Sequence, residues 1–231
     1  MNKLVATGAL ALALAAGGGY WLSTQSAGPA VSEAPGAIDL PGAANAQESG
    51  EAVDTSLIVE MALGPEDAAV TIYEYASFTC PHCATFHKEQ FKKLKTDYID
   101  TGKIRFVYRD VFFDRFGLWA SMVARCGGEQ KFFGISDMIY EQQRDWIGSG
   151  SDPVEIANNL RKIGKVAGLS DDKVEACLSD ADRAKTLVAW YQENSETHDI
   201  SSTPTLIING KKHSNMPYSE LSGLIDDLLA E

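Results

Sequence analysis

The apolar residues between positions 69 and 110 follow first the period of a strand, then that of a helix, then that of a strand again. Residues 69–76 are a run of β-branched and aromatic residues that predicts a buried strand. From Pro81 the apolar residues recur at helical spacing, and Thr101-Gly102 closes the segment. A second strand is predicted over Ile104–Asp110. This order predicts a right-handed crossover between two parallel strands.

A long middle region, about residues 115–198, carries helical periodicity and almost no strand signal. Within it, Gly127-Gly128 marks a helix end, and Asp152-Pro153 is typical of a capped helix start. We therefore predict several consecutive helices in this region.

The strand pattern returns near the C-terminus. Residues 203–208 form an apolar run that turns at Asn209-Gly210 into a short strand over residues 211–213, which predicts a hairpin. Tyr218–Leu229 follows as an amphipathic helix that packs on the sheet. The whole order of elements predicts an α/β fold.

The chain before residue 54 has no globular pattern. After Lys3, residues 4–22 are uncharged and dominated by Ala, Leu, Val and Gly, which predicts an export segment. Two interpretations stay open: residues 1–22 are a cleaved signal peptide, or they are an uncleaved membrane anchor. Residues 23–53 are rich in Ala, Gly and Pro and predict a flexible tether. Under either interpretation, the folded part of the chain, residues 54–231, is exported.

Charge excludes one class of partner. The chain has 20 Lys and Arg against 32 Asp and Glu, a formal net charge of -12. Nucleic-acid binding needs a broad basic surface, so we predict no nucleic-acid partner. Hydrophobic residues make up 45% of the chain, which is enough for one good core.

The sequence Cys80-Pro81-His82-Cys83 lies where the first predicted strand gives way to a helix. A sulfur at a helix N-terminus faces unpaired amides and the positive end of the helix dipole, and both favour the thiolate. Pro81 suits the first helical position, and His82 adds positive charge or a donor near the sulfur. We predict that Cys80 exchanges with substrates and that Cys83 resolves the mixed disulfide. Stabilising the thiolate favours the reduced form, so the disulfide is predicted to be oxidising.

Two other interpretations of these cysteines stay open. One is an inert structural disulfide. The other is a zinc site, for which Cys80, Cys83 and His87 supply only three ligands and which an oxidising compartment disfavours. We predict neither a metal nor a cofactor. The remaining cysteines, Cys126 and Cys177, lie in the helical region, either as a second disulfide or as two buried thiols.

The CPHC motif after a strand, the helical region, and Thr203-Pro204 before the late hairpin together resemble the DsbA-like thiol:disulfide oxidoreductases of the thioredoxin superfamily. The resemblance covers roughly residues 54–231. It implies a thioredoxin fold interrupted by a helical insertion over about residues 115–198. It also implies a cis peptide bond at Thr203-Pro204 beside the active-site sulfurs.

The resemblance also implies roles for single residues. Glu74 matches the family's buried acid, which moves protons to or from Cys83, whereas the alternative is a solvated strand residue. Thr203, with Pro204, is implied to present its hydroxyl and backbone to an extended substrate, whereas the alternative is a plain turn residue.

A branch of this family carries an extra disulfide in the helical subdomain, which implies that Cys126 and Cys177 pair. Five aromatic residues are either core residues or part of an apolar surface for substrate near the active site: Phe78, Phe112, Phe113, Phe116 and Trp119.

The function implied is that of an exported, periplasmic oxidase that donates the Cys80–Cys83 disulfide to unfolded or folding secreted proteins. A membrane quinone-linked partner, similar to DsbB, is implied as its reoxidant, and we expect a monomer. The runner-up is a disulfide isomerase or reductase, because Thr before the cis-proline also occurs in isomerases of this superfamily. The tether is too short for the dimerisation domain usual in such isomerases. A different class, a non-enzymatic binding or chaperone-like module, also stays open.

Overall fold

The computed structural model describes residues 53–231. The predicted signal peptide or anchor, residues 1–22, and all but the last residue of the predicted tether lie outside the described residues. Over the described range, no helix combines the length and the apolar character needed to cross a membrane.

One five-stranded sheet organises the fold. Its strands are β1 (Met61–Leu63), β2 (Val70–Ala76), β3 (Ile104–Asp110), β4 (Thr205–Ile208) and β5 (Lys211–Ser214). They lie in the order β1-β3-β2-β4-β5, with β2 and β3 parallel and every other pair antiparallel. The parallel pair and the hairpin at Asn209-Gly210 agree with the pattern-based prediction.

A mixed helical segment connects β2 to β3. It begins as α1 (Pro81–Phe86), and continues through a π-helical turn, π1 (His87–Phe91), the short α2 (Lys92–Leu94) and a second π-helical turn, π2 (Lys95–Ile99). Gly102 follows with φ of 72°, a backbone conformation that favours glycine and ends the helix where predicted.

Six helices lie between β3 and β4, where the helical region was predicted. They are α3 (Arg115–Cys126), α4 (Glu129–Glu141), α5 (Gln143–Ile147), α6 (Pro153–Val166), α7 (Asp171–Leu178) and α8 (Ala181–Thr197). The chain ends with α9 (Tyr218–Leu229), which packs on the sheet.

The two faces of the sheet are covered differently. On one face Ile72, Phe106 and Ile208 form a buried cluster with the α1–π2 segment and with α9. Because side chains alternate along a strand, Tyr75 points the other way and packs towards α8. A third cluster fills the interior of the six-helix region and reaches the sheet through Tyr108. Cys80 and Cys83 both belong to this third cluster.

A buried ion pair fixes the six-helix region to the end of β3. Nε and Nη2 of Arg125 donate to Oδ2 of Asp110 at 2.9 and 2.7 Å, and Nη1 donates to the Val59 carbonyl at 3.0 Å. The two charged side chains are 0% and 1% exposed. This pair therefore ties together α3, β3 and the chain that precedes β1.

Cys126 and Cys177 are joined in a disulfide with an S–S distance of 2.05 Å. The bond links the last residue of α3 to α7 across 51 positions of sequence. Closing a loop of this length restricts the unfolded chain, which stabilises the folded six-helix region.

Candidate active site

Cys80 lies at the junction between the sheet and the first helix. After β2 ends at Ala76, a three-residue loop leads to Cys80, which is the N-cap of α1, and Pro81 occupies the first helical turn. Cys80 is 8% exposed and Cys83 is fully buried, and both sulfurs are free thiols. His82 is exposed at the start of the helix. The sulfur that reaches the surface is thus Cys80, as its predicted role requires.

The surroundings of Cys80 strongly favour its thiolate. The pKa of Cys80 is lowered to about 5, and a hydrogen bond from the Cys83 side chain makes the largest contribution, although burial acts against it. The Thr203 side chain and the backbone amides of Cys83 and His82 supply the rest of the lowering. These amides belong to the first turn of α1, where no carbonyl of the helix can pair with them.

Cys83 has the opposite character. Burial raises the pKa of the Cys83 thiol far above its usual range, and the hydrogen bond to Cys80 and the negative charge of Glu74 raise it further. At neutral pH the reduced pair is therefore a Cys80 thiolate beside a Cys83 thiol. One sulfur is a good leaving group and the other holds its proton.

The loop before β4 lies against Cys80. The Thr203–Pro204 peptide bond is cis, and the Cys80 sulfur lies 3.5 Å from the Thr203 carbonyl oxygen. Apart from the sulfur, the buried Thr203 hydroxyl has no hydrogen-bond partner among residues 53–231. This hydroxyl is therefore available to donate to the thiolate.

Replacing Thr203 with valine removes this donor while keeping the shape of the side chain. We expect Thr203→Val to raise the pKa of Cys80 by about one unit, the value of one ordinary hydrogen bond. The Cys80–Cys83 disulfide becomes correspondingly less oxidising. Thiolate absorbance measured against pH tests this, with Thr203→Ser, which keeps the hydroxyl, as the control. An unchanged pKa in the valine variant would contradict the assignment.

Gln143 in α5 connects the six-helix region to the loop between β2 and α1. Its buried Nε2 donates to the carbonyl oxygens of Phe78 at 2.8 Å and of Cys80 at 2.9 Å. Nothing in the local sequence indicates this contact, because Gln143 and Cys80 are 63 positions apart. The amide holds the backbone on both sides of Thr79 in place.

Gln143→Met replaces this amide with an apolar side chain of similar size. We expect a loss of about 1–3 kcal/mol in the free energy of unfolding, because buried carbonyls lose their donor. Urea unfolding measures it, and Gln142→Met, at the exposed neighbouring glutamine, is the matched control. Equal stability of the two variants would show that the hydrogen bonds of Gln143 contribute nothing to the free energy of unfolding.

Glu74 is fully buried in β2, so the alternative of a solvated strand residue is wrong. It shares the face of Ile72 and Ala76, and its Oε2 lies 2.8 Å from Nε2 of His87. The sequence had suggested His87 only as a zinc ligand. His87 contacts Glu74, and among residues 53–231 no three His, Cys, Asp or Glu side chains are grouped so that they could hold a metal ion.

An apolar cavity of about 540 Å³ lies in the six-helix region. Phe112, Phe113 and Trp119 line it, and Phe113 is 59% exposed. Its lining also includes Asp114, whose Oδ2 accepts a hydrogen bond of 2.8 Å from Thr79 beside Cys80. By contrast, Phe78 is a core residue, 1% exposed and stacked on Tyr108.

Comparison with known proteins gives consistent matches. A family model described as Thioredoxin matches residues 56–227. A Rickettsia bellii protein named "Putative protein-disulfide oxidoreductase" is 34% identical over 173 residues, which cover 74% of this chain and 65% of the relative. The chain thus spans slightly less than two thirds of the length of that relative.

Solved structures match over most of their length. Wolbachia pipientis alpha-DsbA1 superposes with a TM-score of 0.69 at 25% identity, covering 78% of this chain and 96% of that one. A protein-disulfide isomerase from Novosphingobium aromaticivorans superposes with a TM-score of 0.68 at 24% identity, covering 74% and 98%. The second likeness concerns the fold alone.

Proposed function

This chain belongs to the thioredoxin family, in its DsbA-like branch, and from that premise we propose that it is an exported protein-disulfide oxidase. The predicted fold class, a thioredoxin fold interrupted by a helical insertion, is confirmed by the same matches. The proposed substrates are unfolded or folding secreted proteins with pairs of free cysteines. The proposed compartment is the periplasm.

One observation carries this proposal, the opposite shifts at the two cysteines. The pKa of Cys80 is lowered to about 5, whereas burial raises the pKa of Cys83. A Cys80 thiolate at neutral pH stabilises the reduced form, so electrons flow from substrate thiols to this protein. An inert structural disulfide has no need of an acidic, partly accessible sulfur at a helix N-terminus.

The reaction takes place in two exchanges. A substrate thiolate attacks the Cys80 sulfur, the Cys80–Cys83 bond breaks, and its electron pair leaves on Cys83, which takes up a proton. A second substrate thiolate then attacks the substrate sulfur of the mixed disulfide, and Cys80 leaves as a thiolate. The substrate dithiol is oxidised by two electrons, one of its protons ends on Cys83, and the other goes to solvent.

The neighbourhood of Cys80 supports an extended substrate chain. Thr203 and Pro204 present backbone beside the sulfur, as is typical of pairing with an extended peptide. The reduced pair then needs an oxidant, for which we propose a membrane quinone-linked protein similar to DsbB. We propose that the oxidase acts as a monomer.

Disulfide transfer to an unfolded protein tests the function. Oxidised protein is mixed with a reduced, unfolded polypeptide containing two cysteines, and the thiols of both are counted by alkylation over time. The proposal predicts one substrate disulfide formed for each Cys80–Cys83 pair reduced. Failure to oxidise the substrate, combined with efficient rearrangement of a scrambled disulfide protein, would instead assign an isomerase. If the protein shows neither oxidation nor rearrangement, the result would instead assign a non-enzymatic binding module.

A further inference from the structure

The loop between β2 and α1 carries Cys80, and one side chain of the six-helix region holds the backbone of this loop. The Nε2 amino group of Gln143 donates to two of its carbonyl oxygens, at 2.8 Å to Phe78 and at 2.9 Å to Cys80. A side-chain amide nitrogen carries two hydrogens, so both donors of Gln143 are committed to this loop. The Gln143 side chain is 6% exposed, and water therefore competes little for either carbonyl.

The start of α1 lacks the oxygen-bearing side chain that usually caps a helix. Cys80 is the N-cap residue, with φ of -82° and ψ of 118°, and its side chain makes no capping hydrogen bond. Sulfur is a weak acceptor in a thiol and becomes a strong one only as a thiolate. Until the thiolate forms, the orientation of the Cys80 peptide group therefore depends on contacts from outside the helix.

The Cys80 carbonyl oxygen receives two donors. The Ala84 amide donates at 3.2 Å, which is the first hydrogen bond of α1, and Gln143 donates at 2.9 Å. Pro81 has no amide hydrogen, so the amides that stabilise the sulfur belong to the next two residues of the helix. Their position relative to the sulfur depends on the backbone rotation about Cys80, which the contact with Gln143 restrains.

A second contact from the six-helix region restrains the residue between the two carbonyls. The Thr79 hydroxyl donates to Oδ2 of Asp114 at 2.8 Å, and Oδ1 of the same carboxylate accepts from two amides at the start of α3. A Cβ at Gly117 would lie 3.2 Å from the Ser77 hydroxyl oxygen, so the start of α3 packs closely against the loop. The loop is thus held from both α3 and α5, although neither helix supplies a reacting atom.

These contacts affect the two redox states differently. In the oxidised protein, the Cys80–Cys83 bond itself fixes the position of the Cys80 sulfur. In the reduced protein, only noncovalent contacts hold this sulfur against the amides of α1. A restraint that stabilises one state more than the other shifts the equilibrium between them. Restraining the backbone at Cys80 therefore favours the reduced form and makes the disulfide more oxidising.

We propose that Gln143 is a positioning residue for disulfide exchange, which holds the Cys80 backbone so that the sulfur faces the amides of α1 in the reduced protein. This inference rests on the proposed oxidase function and deepens it, because it assigns part of the oxidising strength to the six-helix region. Gln143 touches neither sulfur and acts through the backbone of the loop. Its loss destabilises the reduced form more than the oxidised form.

Gln143→Met tests the proposal, because it removes both donors and keeps the size of the side chain. We expect the pKa of Cys80 to rise by about one unit and the equilibrium with glutathione to shift about tenfold towards the protein disulfide, since one pKa unit corresponds to a factor of ten. Thiolate absorbance against pH and the glutathione equilibrium, both measured on the full chain, report the two shifts. A folded variant in which either quantity stays unchanged would overturn the proposal.

Trp146→Phe is the matched control in the same helix. The buried indole Nε1 of Trp146 donates to the Ile139 carbonyl oxygen at 2.9 Å, so this variant also loses a buried donor of α5, but not one that reaches the loop. We expect its free energy of unfolding to fall, while the pKa of Cys80 and the glutathione equilibrium keep their natural values. If Trp146→Phe shifts both quantities as far as Gln143→Met does, general loosening of α5 explains the result and the proposal is overturned.

A measurement on the natural chain guards against misfolding of the variant. In the reduced full chain, the side-chain amide protons of Gln143, observed by NMR, are expected to exchange with solvent far more slowly than those of the exposed Gln142 and to shift as Cys80 titrates. Fast exchange, or signals that do not follow the titration, would overturn the proposal. A natural couple more reducing than glutathione would overturn the proposed oxidase, whereas the difference between the natural chain and Gln143→Met would still decide the role of Gln143.

Discussion

Replacing Cys83 with alanine is expected to abolish disulfide donation and to raise the pKa of Cys80 from about 5 towards the ordinary value of about 8.5. Donation stops because the disulfide no longer exists. The pKa rises because the hydrogen bond from Cys83 is the largest contribution to thiolate stability. Thiolate absorbance and the rate of alkylation of Cys80, each measured against pH, report the second effect.

Cys83→Ser separates the two consequences. It also abolishes donation, but its hydroxyl remains a donor to Cys80, so the pKa of Cys80 rises less than in Cys83→Ala. With oxidised glutathione, Cys80 of either variant forms a mixed disulfide, and no second cysteine of the active site is present to resolve it. An alanine variant whose Cys80 pKa stays at about 5 would show that the Cys83 thiol contributes nothing to the stability of the thiolate.

Breaking the buried ion pair is expected to produce the largest loss of stability. Arg125→Met leaves the Asp110 carboxylate buried without its partner and removes the donor to the Val59 carbonyl. The expected loss is about 3–5 kcal/mol in the free energy of unfolding, the range found when one member of a buried pair is removed. Urea unfolding of the oxidised protein measures it.

Two comparison variants define this result. Arg161→Met breaks an exposed pair with Glu175 and is expected to cost about 1 kcal/mol or less. In Arg125→Met combined with Asp110→Asn, the unpaired charge is gone, so part of the lost stability is expected to return. If Arg125→Met costs no more than Arg161→Met, the ion pair does not hold the six-helix region to the sheet.

Local sequence patterns predicted the elements that have strong apolar periodicity or clear turn and capping residues at their ends. The strand Ile104–Asp110 and the helix Tyr218–Leu229 have the predicted boundaries. The π-helical turns were not predicted, because apolar spacing alone does not separate a π turn from an α turn. Nor was β1, whose three residues carry too little pattern and which is a strand only because it pairs with β3.

The features of the site that depend on residues close together in the sequence were predictable, and those that depend on distant elements were not. The positions of Cys80, Cys83 and Pro81 follow from one strand-to-helix junction. The burial of Glu74 depends on what covers β2, so alternation along the strand left it open. The contacts of His87 and Gln143 join distant elements, and only the folded chain brings them to the cysteines.

The equilibrium of the Cys80–Cys83 couple with a glutathione buffer tests the central claim most directly. The account predicts a disulfide markedly more oxidising than glutathione, together with a Cys80 thiolate that forms with a midpoint near pH 5. A stable, reducing disulfide with an ordinary Cys80 thiol would contradict the oxidase.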